Sequence, residues 1–373
     1  MQLEVLQENL AKAITQAARF TNTKAQLPIL GNILLSVRKT KILICSTNLE
    51  VSVATSVGAK VKEDGELSIP SRLISEVVNN LPKETVSLIS EKEQLKISMS
   101  GFSSTILGMN TSDFPKIPTS IDKDKAIEIS SKEFTEALSQ VSFSVSSDET
   151  RPVLTGVLFT WKDKTLTLVS TDGFRLSQRK INLNKSNQFP QIILPKSVLS
   201  EIPRIPDLGN SIFLDLKEKD KQVLFEVSNV VLSSRLLEGD YPDYEKIIPK
   251  NSNFDALVDR EEFLRSVKLA SVFAKDAANI IKLKITNGNL EISSESGNSG
   301  NQSTKIDCKL TKNEAELKSF EISFNYRFIE EFLQSTTGDE IEMKFTSQNS
   351  PGIFSDTGNS NYLHLIMPVK TQD

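Results

Sequence analysis

Ile42–Glu50 reads ILICSTNLE, residues 166–174 read LTLVSTDGF, and residues 290–298 read LEISSESGN. Each is a short apolar strand running into a polar turn, and each begins 124 residues after the one before. One such strand decides nothing, but three at a constant interval make the chain a repeat. Working outward, a helix pattern precedes each strand. Leu6, Leu10, Ile14 and Ala17 are followed in the second copy by Phe134, Leu138, Val141 and Val145. The third copy has Phe263, Val267, Ala270 and Phe273. Spacings of three and four put each set on one helix face. Ser130 to Glu133 and Asp259 to Glu262 have the form of capping boxes.

Beyond each strand lies another that runs into a second helix: IPSRLISEVVNNLP, LPKSVLSEIPRI and SFNYRFIEEFLQS. Leu73/Val77/Leu81, Val198/Ile202 and Phe328/Phe332 keep helical spacing there. Prolines 115, 242 and 368 form a fourth landmark, 127 and 126 residues apart. Alternating runs such as VSLISEKEQLKISMSG, VLFEVSNVVLSSRLL and EMKFTSQNSPGIFSD read as hairpins. The reading is therefore α+β: three modules of two helices and several antiparallel strands each. Polar stretches near 119–127 and 250–255 set the boundaries, giving modules 1–122, 123–251 and 252–373. Solenoid units are short, roughly 20 to 45 residues, because one unit cannot bury its own core. A module of this length can, so its repetition serves geometry, and a closed ring is the natural product.

Composition narrows the function. No apolar run is long enough to span a membrane, and MQLEVLQENLAKAITQ lacks the basic start and apolar core of a signal peptide, which points to the cytoplasm. Cys45 and Cys308 fall in different modules and read as strand residues, not as a disulfide or a metal pair. His364, the single histidine, lies in the alternating YLHLIMP and reads as a solvent-facing strand residue. One histidine leaves no His-based metal site, and no catalytic constellation, metal or cofactor is expected. The formal net charge of −4 gives no direct support for nucleic-acid binding, although a basic surface can be hidden in an average.

QLPILGNILL (26–35), TDGFRLS (171–177), LLEGDYPDYEKIIPK (236–250) and LIMPVK (365–370) are similar, in order and place, to the bacterial sliding clamp family. These are the beta subunits of DNA polymerase III. The resemblance runs from the first helix to the last strand. It implies a head-to-tail homodimer, a ring of six modules with twelve helices around duplex DNA and antiparallel sheets outside. It also implies a processivity factor that grips DNA without sequence specificity. Such a clamp tethers the replicative polymerase alpha subunit, the clamp loader, and other clamp-binding-motif polymerases and repair proteins. Sliding needs only weak phosphate contacts, because the ring holds by topology.

Carried over position by position, the resemblance places DNA contacts at Lys24, Arg72, Arg151 and Lys196. The helix faces add Lys12, Lys132, Arg265 and Lys268. Ser147, Asp148 and Glu149 stand where the family has a loop that dips toward DNA, and their acids depart from a favourable pattern. A hydrophobic pocket for a short peptide is implied at Leu154, Thr171, Gly173, Phe174, Arg175 and Leu176. Pro242, Lys246 and Ile247 join it from the second module's end. Asn325, Phe328, Leu365, Met367, Pro368, Val369 and Lys370 close it. Such a set supplies apolar anchors and a few polar groups to hold a peptide backbone. Phe174 replaces the histidine of some members, and Ala278 stands near a family aromatic. Thr371–Asp373 extend beyond the end of some relatives and could shade the pocket. Ile106 and Leu107 on an edge strand are implied to meet Val272 and Phe273 of a second copy.

Two other classes stand beside this reading. An enzyme would need a motif such as a P-loop, GxGxxG, HExxH or CxxC, and none is present. Asp172 in TDG could suggest a nucleophile or metal ligand, but Thr47-Asn48-Leu49 occupies the same place in the first module, so a turn is expected. A peptide-binding adaptor built from the same modules, without DNA, is the alternative. Retention on circular but not linear DNA separates the two.

Overall fold

Alternation and buried faces set the strands, and the computed structural model describes residues 1–22, 26–186, 189–286, 288–297, 299–312 and 319–370. The first stretch supplies β1 (Gln2–Leu6), α1 (Gln7–Ala18), β2 (Asn32–Arg38), β3 (Lys41–Thr47), β4 (Val51–Gly58), β5 (Lys60–Glu63) and β6 (Gly65–Pro70). Helix α2 (Ser71–Asn79), β7 (Thr85–Glu91), β8 (Gln94–Met99) and β9 (Phe102–Leu107) follow. Next come β10 (Ile127–Ser130), α3 (Ser131–Val141), β11 (Gly156–Lys162), β12 (Thr165–Thr171), β13 (Arg175–Asn182) and β14 (Ile192–Pro195). Helix α4 (Lys196–Leu199), β15 (Ser211–Lys217), β16 (Gln222–Val227) and β17 (Val230–Arg235) end that stretch. The last has β18 (Phe254–Asp259), α5 (Arg260–Ala274), β19 (Ile280–Thr286), β20 (Gly288–Ser296), β21 (Gly300–Lys312) and β22 (Phe320–Asn325). It closes with α6 (Tyr326–Ser335), β23 (Glu340–Phe345), β24 (Gly352–Asp356) and β25 (Tyr362–Ile366).

These elements form two compact units, Met1–Phe134 with Ser197–Leu236, and Thr135–Lys196 with Leu237–Asp373. The first unit holds a five-stranded sheet, β5-β1-β7-β8-β9, and an eight-stranded one, β10-β15-β16-β17-β4-β3-β2-β6. The second holds a twelve-stranded sheet, β14-β11-β12-β13-β25-β24-β23-β18-β21-β20-β19-β22. Strand pairing is antiparallel in each sheet, as in β17·β4 and β13·β25. The same four-strand order therefore occurs three times, as β6-β2-β3-β4, β14-β11-β12-β13 and β22-β19-β20-β21.

A buried serine fastens the first helix of each repeat. Ser46 Oγ donates to the Ala17 carbonyl at 2.5 Å, Ser170 Oγ to Val141 at 2.5 Å, and Ser294 Oγ to Ala270 at 2.9 Å. This matches Ala17 with Val141 and Ala270, and so Leu10 with Phe134 and Phe263, all buried. The expected first helix face is corrected at one end: Leu6 is the last residue of β1 and is exposed. Pairing of Leu6 with Thr85 of β7 keeps that residue extended, so helical spacing does not reach it. The third set also frays, since Phe273 is only half-buried. The cap at Asp259 forms, its Oδ1 accepting from Glu262 N at 2.8 Å, and Ser130 Oγ accepts from Glu133 N at 3.5 Å.

The second helices need two corrections. In α2 the buried face is Ile74 and Val78, while Leu73 is exposed and Val77 half-buried. Both sets keep helical spacing, and packing against α1 chooses between them: Gln7 Nε2 donates to the Val78 carbonyl at 2.8 Å. Helix α4 is a single turn continued by a 3₁₀ turn at Ile202–Arg204, because Pro203 has no amide to give an α-helix. Val198 and Ile202 are nonetheless fully buried.

The proline landmark is also corrected. Met109 N donates to Ser68 O, Leu237 N to Ile193 O, and Val369 N to Ser323 O, at 2.8 to 2.9 Å. Ser68, Ile193 and Ser323 each lie two residues before the strand end that enters the second helix. Pro115 and Pro242 follow their bonds, whereas Pro368 precedes Val369. Its place in LIMPVK is a coincidence of spacing. Cys45 and Cys308 are free, buried strand residues, as expected. Ser170→Ala would leave the Val141 carbonyl without its donor. Urea unfolding is expected to show a loss of about 1–3 kcal/mol, and an unchanged transition would refute the fastening role.

Candidate functional site

Strand β13 begins at the end of the turn Thr171–Phe174, and the turn is built from its own side chains. Thr171 Oγ1 donates to the Arg175 carbonyl at 2.6 Å and accepts from Gly173 N at 3.1 Å. Asp172 Oδ1 accepts from the amides of Phe174 at 2.9 Å and Arg175 at 3.1 Å. Gly173 has φ +94°, a left-handed conformation that favours glycine. The first repeat makes the same turn with Asn48, whose Oδ1 accepts from Glu50 N at 3.1 Å and Val51 N at 2.8 Å. Asp172 is thus a turn residue whose acidity is not required, as its counterpart Asn48 led us to expect.

This turn leaves Phe174 standing 63% exposed. Its carbonyl accepts from Met367 N at 2.8 Å, so the β13 turn and the end of β25 form one lip. Beneath the lip is an apolar cluster of Leu158, Val169, Leu176, Ile193 and Leu365. Half-buried Val153, Tyr241, Tyr244 and Ile248 pack on it. The segment after β17 folds over this sheet: Leu237 is bonded to Ile193, and Tyr241 Oη donates to the Val169 carbonyl at 3.5 Å. Gly239 permits the close approach, since a Cβ there would lie 2.7 Å from Val153 Cγ1. Burial pushes the Tyr241 and Tyr244 phenols up, so both stay neutral and offer apolar faces with one polar tip.

Of the pocket residues expected from sequence, Leu154, Leu176 and Leu365 are buried in the floor or beside it. Pro242, Lys246, Ile247 and Lys370 are exposed, and Pro368 and Val369 half-buried. Lys246 is held by Asp243 at 2.8 Å. Asn325 caps α6, accepting from Arg327 N at 3.0 Å. Arg175 is turned away from the lip. Its guanidinium lies over the Phe328 ring at 4.5 Å and the Phe143 ring at 5.3 Å. It bonds Asp172 at 3.0 Å, the Phe143 carbonyl at 2.7 Å, and Glu331. Arg175 and Phe328 therefore brace the turn. The residues that sequence reasoning missed are Val153, Tyr241, Tyr244 and Ile248. For Tyr241, Tyr244 and Ile248 the signal was present in YPDYEKIIP, where aromatic and aliphatic residues interleave with the prolines; Val153 had none.

His364 lies in β25 opposite Ser177, and its expected exposure is corrected: it is fully buried. Alternation misled because both faces of β25 are covered. Tyr362 and Ile366 pack into the large core of the last repeat, while Leu365 and Leu363 join the cluster under the lip. His364 Nδ1 pairs with Ser177 Oγ at 2.8 Å, which pairs with Ser144 Oγ at 2.8 Å. The ring stacks on Phe332, centroids 5.3 Å apart.

The expected DNA residues sit mainly on helices. Lys12, Arg72, Lys132, Lys196, Arg265 and Lys268 are exposed on α1, α2, α3, α4 and α5. Arg72 is paired with Glu76 at 2.8 Å, and Arg151 with Asp148 at 2.9 Å. The acidic loop at 147–149 thus occupies its own arginine. Lys24 lies outside the described residues, as do Thr371–Asp373. On β9, Ile106 is buried in its own sheet and Leu107 is 68% exposed. On α5, Val272 is 60% exposed and Phe273 half-buried, with Ala278 exposed beyond the helix. No helix among the described residues is long and apolar enough to cross a membrane.

With this geometry, similarity to known proteins covers the whole chain. Residues 1–118, 128–243 and 245–370 match the N-terminal, central and C-terminal domains of the family described as DNA polymerase III beta subunit. The chain is 28% identical to the beta sliding clamp of Staphylococcus aureus over 381 residues, covering all of both. The crystal structure of the DNA polymerase sliding clamp from Bacillus subtilis is similar with a TM-score of 0.93 at 26% identity. That of DNA polymerase III beta subunit from Thermotoga maritima is similar at 0.89 and 26%. Both matches cover 100% of each chain.

Burial, and then the positive charge of Arg175, hold the His364 imidazole neutral, well below its ordinary range. Below pH about 6.5 the unfolded chain then binds a proton that the folded chain refuses, so stability falls with acid by up to about 1.4 kcal/mol per pH unit. Above that pH the group gives no slope. Urea unfolding between pH 7 and 5 is expected to show a shallower decline for His364→Gln than for the native chain. Equal slopes would contradict the burial of a neutral imidazole.

Proposed function

This chain belongs to the DNA polymerase III beta subunit family, and from that premise we propose how its surfaces serve a sliding clamp. It is a DNA polymerase processivity clamp. Two copies close head to tail into a ring of six modules, with modules 1–122, 123–251 and 252–373 in each copy. The observation that carries the ring is a pair of unmatched strand edges. β17 is paired with β4 and β25 with β13, but the equivalent edges, β9 and the first half of β21, have no such partner among the described residues. An unpaired edge invites another chain, and a second copy offers the complementary one. Leu107 of one copy and Val272 with Phe273 of the other flank that joint.

The ring acts without catalysis, as an accessory subunit in the cytoplasm. Lys12, Lys24, Arg72, Lys132, Arg151, Lys196, Arg265 and Lys268 supply scattered, sequence-independent phosphate contacts. The rest of an acidic chain keeps the grip loose enough to slide. Neutralising Lys12, Lys196, Arg265 or Lys268 should lower the salt slope of DNA binding by about one unit, and neutralising Arg72 or Arg151, already ion-paired, by less. The lip of Phe174 and Met367 over Leu176, Leu365, Val153, Tyr241 and Tyr244 takes a short hydrophobic peptide. Its owners are the polymerase alpha subunit, the clamp loader, and other polymerases and repair proteins with a clamp-binding motif. Met367 adds a flexible thioether that repacks against different side chains.

Loaded by its clamp loader, the protein is expected to remain on nicked circular duplex after gel filtration and to be lost once that DNA is linearised. Equal retention on both forms would overturn encirclement. Phe174→Ala leaves a surface residue shorter and should raise the dissociation constant of a polymerase C-terminal peptide about tenfold, in the range of an aromatic anchor. Unchanged affinity in fluorescence anisotropy would move the peptide site elsewhere.

A further inference from the structure

We propose that the ring is closed in one register by a polar cross-strand pair, Ser104 of one copy against Gln302 of the partner subunit. The inference rests on the head-to-tail closure above and goes further, because the chain carries two finished copies of the same joint. In the first, Leu232 of β17 stands opposite Val53 of β4, flanked by Val231/Ala54 and Ser233/Ser52. In the second, His364 of β25 stands opposite Ser177 of β13, flanked by Leu363/Gln178 and Leu365/Leu176.

Ladder positions fix the third joint. Ser104, Leu232 and His364 face Ile97, Phe225 and Phe354. Those face Leu88, Leu214 and Met343 in the next strands. On the receiving side, Val53, Ser177 and Gln302 face Ser46, Ser170 and Ser294, the three fastening serines. Copying the register sets Ser104 opposite Gln302, Ser103 opposite Ser303 and Thr105 opposite Asn301. Ile106 then falls opposite Gly300.

The side chains agree with this register. Ser104 and Gln302 are half-buried while their neighbours Ser103, Thr105, Asn301 and Ser303 are less covered, so both point to the inner face. Gln302 Nε2 donates to Thr304 Oγ1, but Gln302 Oε1 is buried and accepts no hydrogen bond in the single chain. A hydroxyl at position 104 of a second copy is a donor placed for that orphan acceptor. The two internal joints mix polar pairs, Ser233/Ser52 and His364/Ser177, with apolar ones, Leu232/Val53 and Leu365/Leu176, whereas the three pairs here, Ser/Ser, Ser/Gln and Thr/Asn, are all polar. A polar pair at a partly buried joint sets register at a cost in stability, so the seam is the joint made to open.

Two measurements test this. A chain carrying both Ser104→Cys and Gln302→Cys is expected to form covalent dimers under air oxidation, faster than one carrying Ser103→Cys and Gln302→Cys, whose side chains point to opposite faces. The native thiols do not compete, because burial pushes Cys45 up to about 12 and Cys308 up to about 11. In sedimentation, Gln302→Val and Ser104→Val should each weaken dimerisation roughly tenfold by leaving a polar group unpaired, and the double variant should recover it. Faster cross-linking of the 103/302 pair, or strictly additive losses in the double variant, would overturn the register while leaving the ring intact. A native chain that sediments at 41.4 kDa, with neither cysteine variant cross-linking, would overturn the closure itself.

Discussion

A β-strand at a sheet edge presents backbone donors and acceptors that must find partners, and this chain is organised around meeting that demand. Each repeat begins with a four-strand half that ends on an open edge and finishes with a half that also ends on one. β17 closes the edge of β4, and β25 closes the edge of β13. The sheets therefore run through the repeat boundaries, and the compact units cut across the middle repeat, leaving 197–236 with the first unit and 135–196 with the second. Folding in such a chain couples neighbours: no repeat has its own edges satisfied until the next is in place.

Within the four-strand half of each repeat, one buried hydrogen bond fixes the first helix against the sheet. Ser46, Ser170 and Ser294 lie at constant sequence spacing and donate to carbonyls in the C-terminal half of their helices. That constancy is why the repeat was legible. The strand carrying the serine cannot drift relative to the helix without stranding a buried hydroxyl and a carbonyl. Features held by no such bond were less legible. Leu6 keeps helical spacing but belongs to a strand, and Leu73 keeps it but lies on the wrong side of α2. In both cases periodicity allowed two answers and a long-range partner chose. The Pro368 landmark failed likewise, because matching letters carried no matching bond.

His364 shows a different limit. Period-two alternation tells inside from outside only when one face of a strand meets water. β25 is covered on both faces, by the aromatic core on one and by the apolar cluster under Phe174 on the other. The sequence of that strand, YLHLI, has no residue that must face solvent. A buried neutral imidazole paired with Ser177 is compatible with it, but only the packing of Phe332 and Phe143 around it reveals the fact. The proposed peptide site was half legible for a related reason. Its rim came from recognisable motifs, but its walls came from Tyr241 and Tyr244, on a segment that lies over the sheet because Gly239 lets it approach.

The same backbone geometry occurs three times among the described residues, and the side chains laid on it differ. The cross-strand pair Leu158/Val169 corresponds by register to Leu34/Cys45 and to Lys282/Ser293. In the first repeat Cys45 and neighbouring Ile29 are buried, as Val169 and Leu158 are in the second. In the third, Lys282 and Ser293, with Ala277 and Asn301, line a cavity of about 440 Å³. On the proposed reading, a peptide's apolar anchors gain from burial over Leu158 and Val169 but would strip water from Lys282 and Ser293 with nothing in return. Backbone pairing makes the three positions alike, and two substitutions on adjacent strands make them unequal. Solvation at a few side chains thus distinguishes positions that the framework itself repeats.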